Sequence, residues 1–495
     1  MLEKVTVTGY AAEGKSLTRQ DGKVFFIEGA VPGDVVDVFI STNKKDFGEG
    51  KATRFYEYST ERTEPFCMHF GTCGGCKWQM LPYEKQLEYK QQEVAQNFRR
   101  IGKIPLPEMM PIVGSADTIQ YRNKLEFTFS NKRYLTDEEI RTLPAAPKSP
   151  PIEGTLENDN LSDSSEIANI KSSPSAAERP GALGYHVPRI FDKIIDIKEC
   201  YLMDDVNNNI RNCIRDFCLA NNYSYYDIKQ HTGWLRNIII RYCTTGELMV
   251  NICLGYEDEM ATKNLLDHVL EQVPSISTLL YTINPKWNDT IYDLEPQVYF
   301  GKGFVIEKLE EFSFKIGPKS FFQTNTKQAE KLYSITKDFA GLTGNEVVYD
   351  LYCGTGSIGI FVSKLAKKII GVEAIAAAIE DAKINASIND INHAEFFAGD
   401  VINICNDAFF AEHGKPDVII TDPPRAGMHE KLVNKLLEIE APKIVYVSCN
   451  TATQARDLAL LSAKYSVEQI QPVDMFPHTH HIECVVLLGL NKAMG

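Results

Sequence analysis

The pattern of apolar and polar positions divides the chain into three textures. Residues 1–58 carry short alternating or β-branched runs (KVTVTGYAAEGKS, KVFFIEGAVPGDVVDVFI, GEGKATRFYEY) broken by Gly, Pro and Asp. Such runs predict an all-β unit whose size suits a small barrel. Residues 81–100 set Leu87, Val94 and Phe98 near one face, which predicts a helix. Its charged face, with Lys85, Lys90, Arg99 and Arg100, reads as solvated ahead of phosphate-binding. Residues 121–130 (YRNKLEFTFS) alternate Leu125, Phe127 and Phe129 as a strand does, and residues 181–300 continue with strands and helices in a mostly antiparallel α+β texture.

From about residue 301 strands alternate with helices. EVVYDLYC leads to IGIFVSKLA, KKIIGVEA to AAIEDAKINASIND, PDVIITDPP to LVNKLLEIE, and KIVYVSCN to ATQARDLALL, with HAEFFAGD as a further strand. This predicts a doubly wound, Rossmann-like domain, to which the last residues add two strands. The expected fold class is multidomain α/β: a β-barrel over 1–58, an α+β central domain over 59–300 and a doubly wound domain over 301–495.

Residues 136–180 have no period and are rich in Ser, Pro, Glu and Asp. They hold nine acids against four bases, −5 of the chain's −14, and so leave −9 for the rest. The stretch predicts a disordered acidic insertion with no part in chemistry. An acidic chain argues against nonspecific nucleic-acid binding, so any RNA contact must come from local basic patches. There is no run of about 18 apolar residues to cross a membrane. The opening MLEKVTVTGYAAEGKS lacks a basic-then-apolar leader, and the expected compartment is the cytoplasm. Twelve cysteines there signal metal, catalysis or core packing before disulfides.

Three of them, Cys67, Cys73 and Cys76, lie within CMHFGTCGGC. Thiols this close, with glycines that let the backbone wrap, predict a soft metal site or an iron–sulfur cluster, with zinc the competing occupant. A fourth ligand is needed; His69, Cys200 and Cys213 are the candidates.

The stretch DLYCGTGSIG places Gly354, Gly356 and Gly359 in a G-x-G-x-x-G pattern, weak by itself. Asp350, at the strand end, would repel a pyrophosphate and suits the cationic methionine part of S-adenosylmethionine. Glu373 ends the second strand, placed for ribose hydroxyls, and Asp400 ends the third, near an adenine amine. Each acid alone reads as a cap or loop carboxylate; three at consecutive strand ends point to the cofactor. Gln323, in FFQTN, is placed to hydrogen-bond cofactor or base, or else belongs to a capping segment.

The last corner is Ser448-Cys449-Asn450-Thr451, between a strand and a helix. A cysteine beside a helix N-terminus is expected to favour thiolate. Glu483, 34 residues on in HTHHIE, is a candidate base. The histidines there lack the helical H-x-x-x-H spacing of zinc proteases. In Asp422-Pro423-Pro424-Arg425 the prolines hold the backbone extended. Enzymes that methylate exocyclic amines carry an aromatic after such prolines; Arg425 in its place disfavours that reaction.

FFQTN, DLYCGTGSIG, GVE, the DPPR corner, SCN and HTHHIE, in this order, resemble the RNA uracil-5-methyltransferases of the TrmA/RumA type. CGGCKWQ resembles their cluster motif, and the first 58 residues resemble a TRAM domain with its OB-like barrel. The resemblance implies Cys449 as the nucleophile that adds to uracil C6 and Glu483 as the base that removes the C5 proton. It implies cofactor or active-site contacts from Gln323, Tyr352, Ser357, Glu373, Asp400 and Asp422, with Ser357 standing where some members have Asn. It implies a 4Fe–4S cluster on Cys67, Cys73, Cys76 and Cys200. The implied partner is RNA, 23S rRNA ahead of tRNA, bound by a monomer with no membrane contact. The rival readings are an amine or protein methyltransferase, a catalytically inactive RNA-binding iron–sulfur protein, and an NAD-linked oxidoreductase. Filled positions at both Cys449 and Glu483 count against all three.

Overall fold

Seven strands form the C-terminal sheet of this computed structural model, which describes residues 1–142 and 181–491. In chain order they are Val347–Leu351, Lys368–Glu373, Ala394–Ala398, Val418–Thr421, Lys443–Ser448, Tyr465–Val473 and Glu483–Leu490. Across the sheet they run third, second, first, fourth, fifth, seventh, sixth. The first five are parallel; the seventh is antiparallel to the fifth and sixth. The strand order reverses between the first and fourth strands, so their carboxyl ends splay into a crevice.

The apolar runs form strands because both faces are covered. In Lys443–Ser448, Val445 and Val447 join one core with Leu332, Tyr333 and Ile358. Ile444 and Tyr446 join the other, with Leu432, Leu436 and Leu458. Two-sided burial explains why these segments read as continuous apolar stretches.

The central unit is an eight-stranded sheet built around Leu235–Tyr242, Leu248–Leu254 and Lys124–Ser130. It is antiparallel except where Leu248–Leu254 meets Thr278–Ile283 and where Ile190–Asp196 meets Arg133–Tyr134. Helices Val206–Ala220 and Glu259–Gln272 contribute to its core. The N-terminal unit is a six-stranded sheet whose two edge strands, Leu2–Thr6 and Gly9–Tyr10, follow one another in the chain. Edges joined by two residues must lie close, so the sheet curls back on itself.

Two expectations are revised. Within 136–180, residues Asp137–Thr142 form a short helix, so the aperiodic stretch starts later; 143–180 lie outside the described residues. The second revision concerns helix Tyr83–Asn97. Lys90 is not on a solvated face. It is fully buried and bonds Asp474 Oδ1 at 2.7 Å, with both side chains at 0% exposure. Tyr83 donates to the other oxygen of Asp474 at 2.8 Å. This helix therefore packs into the C-terminal unit, where Val94 and Phe98 share a core with Ala455 and Leu458.

Removing one partner of a buried pair leaves an uncompensated charge. Lys90→Met is expected to destabilise the fold by about 3–5 kcal/mol, read as a lowered midpoint in thermal unfolding. A midpoint unchanged from the parent would contradict it. No helix among the described residues is long and apolar enough to cross a membrane.

Candidate active site and thiol centre

Cys449 sits half-buried where Lys443–Ser448 gives way to helix Thr451–Leu461. The seventh strand begins beside it: Ser448 pairs with Cys484, which brings Glu483 next to the thiol. Arg425, from the fourth strand's corner, completes the group. Its carbonyl accepts from Asn450 Nδ2 at 2.9 Å, and its guanidinium contacts His481 Nδ1.

The surroundings of Cys449 oppose the expected thiolate. Burial, then the Glu483 and Asp422 carboxylates, push the Cys449 thiol up to about 11, against a smaller opposing pull from Arg425. The cap of the helix that follows occupies two of its free donors. Asn450 Oδ1 accepts from the N–H groups of Ala452 and Thr453 at 3.1 and 3.4 Å.

Glu483 is 6% exposed. Burial and the Asp422 charge raise its carboxyl well above the ordinary range, against Arg425. Burial brings Asp422 to about 7. Two desolvated carboxyls held in one site cannot both ionise freely. Tyr333, unmarked in the sequence, is buried near the same carboxyls; its phenol is pushed up by burial and by Asp422, Asp350 and Glu483. It bonds Ser357 at 3.0 Å. Its heptad-like position on helix Thr326–Ala340 is indistinguishable from that of a core residue, so no pattern could single it out.

Asp350 is 1% exposed and turns inward. Its Oδ2 accepts from Gly359 N–H at 2.8 Å and so braces the glycine turn; its Oδ1 is buried without a partner. Burial, with Asp422 and Glu373, raises its carboxyl to about 7. Glu373 accepts from Gly354 and Ile375 N–H groups at 3.3 and 3.0 Å. Asp400 caps helix Val401–Ile404 by accepting from Ile402 N–H at 2.9 Å. All three acids thus hold backbone, and only Glu373 and Asp400 do so at a strand end open to the crevice. Tyr352 holds φ +62°, a left-handed conformation costly for a non-glycine residue and one that clusters at functional sites. With Asp400 and Ala374 it borders open space of about 740 Å³. Gln323 lies in the loop before helix Thr326–Ala340, its carbonyl held by Asn123 Nδ2 at 2.9 Å. Asn325 is the cap of that helix.

A Cβ on Gly359 would stand 2.9 Å from Asp350 Oδ2 and 3.0 Å from Ile369 Cγ2. Gly359→Ala is expected to displace the Asp350 carboxylate and cost about 1–3 kcal/mol in overpacking. Thermal unfolding with and without added nucleoside ligand measures both effects. An unchanged midpoint would show that the turn has slack.

Cys449 opens into a cleft of about 850 Å³. Its walls come from all three units: Glu13 from the N-terminal sheet's loop, Lys77 and Glu93 from the segment after the cysteine cluster, and Arg425, His480 and His481 from the C-terminal unit.

Cys67, Cys73, Cys76 and Cys200 surround one void of about 410 Å³. The other two candidates for a fourth ligand are placed differently. His69 lines the void, but its Nε2 accepts from Lys198 N–H at 3.2 Å, while Cys213 lies off the void on helix Val206–Ala220. Among the described residues no three His, Cys, Asp or Glu side chains come close enough to hold a single ion. The cluster segment also grips the active-site loop: Lys77 and Trp78 N–H groups donate to His478 C=O at 2.9 and 3.0 Å.

The sequence profile of the tRNA (Uracil-5-)-methyltransferase family matches residues 294–491. A protein of Bacteroides thetaiotaomicron named as an uncharacterized RNA methyltransferase is 51% identical, over 97% of this chain and 100% of its own length. A Porphyromonas gingivalis protein of the same name is 47% identical, over 98% and 99%. Among solved structures, the Pyrococcus abyssi tRNA (uracil-54, C5)-methyltransferase in complex with S-adenosyl-L-homocysteine superposes with a TM-score of 0.71 at 25% identity, over 98% of this chain and 100% of that one.

Proposed function

Because the chain belongs to the RNA uracil-5-methyltransferase family, we propose that it methylates C5 of a uridine in 23S rRNA through a covalent bond between Cys449 and uracil C6. The observation that carries this is the convergence of Cys449, Glu483, Asp422 and Arg425 on one corner of the crevice. Uracil C5 is too weak a nucleophile to take a methyl group unaided. Addition of the Cys449 thiolate to C6 moves electron density onto C5 and O4. S-adenosylmethionine supplies the methyl group. Glu483 then takes the C5 proton, the C5–C6 double bond reforms, the C6–S bond breaks and the thiolate is regenerated. The proton leaves Glu483 for solvent. The target base must leave its stack to reach a half-buried sulfur.

The cofactor's place is inferred from Tyr352 and Asp400 around the open space at the strand ends, with Glu373 at the neighbouring strand end and Gln323, Ser357 and Asp422 toward the reacting base. A cationic ligand there suits the raised carboxyls of Asp350 and Asp422. Four soft thiols around a shared void support a 4Fe–4S cluster on Cys67, Cys73, Cys76 and Cys200, with zinc the competing occupant. Such a cluster would fasten the segment whose Lys77 and Trp78 hold the loop before Glu483. A brown, iron-containing anaerobic preparation supports it; stoichiometric zinc refutes it.

The rRNA assignment rests on the resemblance of the N-terminal sheet and cysteine segment to the rRNA enzymes. A second reading, tRNA, is supported by the full-length likeness to the Pyrococcus enzyme, which weakens the view that this architecture belongs to rRNA enzymes. Deleting the gene and mapping 5-methyluridine in 23S rRNA and tRNA separates them. Loss confined to tRNA sinks the rRNA assignment, and no loss in either sinks the reaction.

The rate is expected to rise with pH between about 6 and 9. A protonated Glu483 cannot accept the C5 proton, and its carboxyl is raised. A thiol near 11 gains thiolate with every unit of pH in that range. Single-turnover methyl transfer across buffers measures this; a rate that falls with rising pH contradicts both assignments.

A further inference from the structure

The DPPR corner brings Arg425 to the cleft that holds Cys449. Its backbone is pinned on both sides. The Arg425 carbonyl accepts from Asn450 Nδ2 at 2.9 Å and from Thr453 Oγ1 at 3.2 Å, and Gly427 N–H donates to Pro424 C=O at 2.8 Å. The side chain is not fixed in this way. Arg425 is exposed, and a long exposed arginine samples many rotamers unless something holds its head. His481, on the wall of the same cleft, supplies that hold: Arg425 Nη2 donates to its Nδ1. A guanidinium has donors and no acceptor, so Nδ1 must present its lone pair. The ring proton is then on Nε2, and the imidazole is neutral.

The surroundings keep this ring neutral and in place. Burial, then Arg425, Arg122, Lys90 and Lys77, bring the His481 imidazole down to about 4. Glu13 and Glu93 are the acids that line the same cleft. The ring of His480, with its centroid 4.2 Å away, adds no charge, since burial and then His481 bring it to about 3. The loop is braced at three points. His481 N–H donates to Thr479 Oγ1 at 3.3 Å, Thr479 Oγ1 donates to Phe476 C=O at 2.8 Å, and His478 C=O accepts from Lys77 and Trp78 N–H groups. Cys449 meets Glu483 and Asp422, which raise its thiol, and Arg425, which opposes them; Arg425 acts on Glu483 as well.

We propose that His481 is a positioning residue: its neutral imidazole latches the Arg425 guanidinium beside Cys449, so that one positive charge faces the sulfur during attack on C6. The proposal deepens the uridine-methylating reading and rests on it. A protonated imidazole could not serve, because it would set a second N–H and a second positive charge against the guanidinium. The ring's value in the fold lies below the ordinary one, so the latch is closed above about 4 and opens as pH falls through it.

The test needs neither RNA nor cofactor. It is the rate at which iodoacetamide, an uncharged reagent, alkylates Cys449 in the full-length protein from about pH 7 to 9, followed by mass spectrometry of the Cys449 peptide. A unit charge a few ångströms from the sulfur in a water-filled cleft changes the thiolate fraction about fivefold. Arg425→Gln is therefore expected to label about fivefold more slowly than the parent. His481→Phe, which keeps a ring but offers no acceptor, is expected to match it. His481→Asn, whose Oδ1 accepts from arginine but which has no ring, is expected to label within about twofold of the parent. The combined His481→Phe and Arg425→Gln variant should be no slower than Arg425→Gln alone, because both changes act through one charge. The factor should hold across the whole pH range, because His481 is neutral throughout it.

Parent-like labelling in His481→Phe overturns the proposal, since Asp422 and Glu483 would then hold the guanidinium by themselves. So does slow labelling in His481→Asn, which would make the ring's packing the cause. A combined variant slowed about 25-fold would make the two residues independent and also overturn it. Unfolding exposes the thiol and speeds labelling, which is the opposite sign; His481→Ala replaces a phenylalanine variant that behaves so. Methyl transfer from labelled cofactor is read separately. Slowed labelling in a protein that methylates no RNA would sink the reaction and leave the latch standing, and methylation with unaltered labelling would do the reverse.

Discussion

Cys449→Ala is expected to lower methyl transfer on the order of 10⁴-fold or more and to abolish the covalent complex with RNA that carries 5-fluorouridine. The size of the effect follows from the chemistry. Without addition at C6 there is no electron-rich C5 to take the methyl group, and no other thiol is placed to substitute. Cys484, the next residue of that type along the sheet, is fully buried and its thiol is raised further by burial and then Glu483. Cys353 is buried beneath the glycine turn, its thiol raised by burial and then Asp350. Burial and the Glu483 and Asp422 carboxylates push the Cys449 thiol up to about 11, and Arg425 is the nearby positive charge that opposes them. A denaturing gel that resolves the protein–RNA adduct checks this directly. Cofactor affinity, measured by calorimetry, should survive the substitution. An adduct that persists in Cys449→Ala, or turnover within tenfold of the parent, would remove Cys449 from the mechanism.

Glu483→Gln is expected to lower turnover by about 10²–10⁴-fold while the covalent complex builds up instead of disappearing. Addition and methyl transfer precede the step that needs the base, so its loss traps the adduct. Glutamine keeps the shape at the start of strand Glu483–Leu490 but cannot accept the proton. A second readout follows from electrostatics. Glu483 is the foremost charge that raises the Cys449 thiol, so removing it should lower that thiol below about 11. The pH dependence of iodoacetamide labelling at Cys449 reports this without any RNA. Failure to accumulate adduct, with turnover still lost, would place Glu483 in the addition step or in folding.

These two residues also show how far the sequence could be read. The corner at Cys449 was legible because a β-branched run that ends in Ser-Cys-Asn before a helical pattern is a local signal. The same holds for the glycine turn and for Glu373 and Asp400 beside two strand ends. The ionisation state was not legible. Helix-end reasoning predicts a thiolate; the fold supplies Asn450 as a cap and brings up two carboxylates from the fourth and seventh strands. Asp350 likewise falls where a cofactor acid is expected, yet its side chain turns back to Gly359.

Lys90 makes the point at longer range. Its helix period was correct, and its charge placed it on the wet face. Its partner Asp474 lies 384 residues away, beyond the reach of any local pattern. The choice of Cys200 over His69 and Cys213 was also open from spacing, since each lay within reach. The fold places Cys200 and His69 at the void, with His69 serving as an acceptor for Lys198, and leaves Cys213 off it.

The sequence by itself therefore determined what repeats or adjoins along the chain: strand and helix periods, the strand-end corners, and the inventory of thiols and carboxylates. The tertiary structure decided which of these meet, which are charged and which are spent on holding backbone. The reason is physical. Periodicity is a property of neighbours in sequence, whereas desolvation and Coulomb interaction depend on neighbours in space.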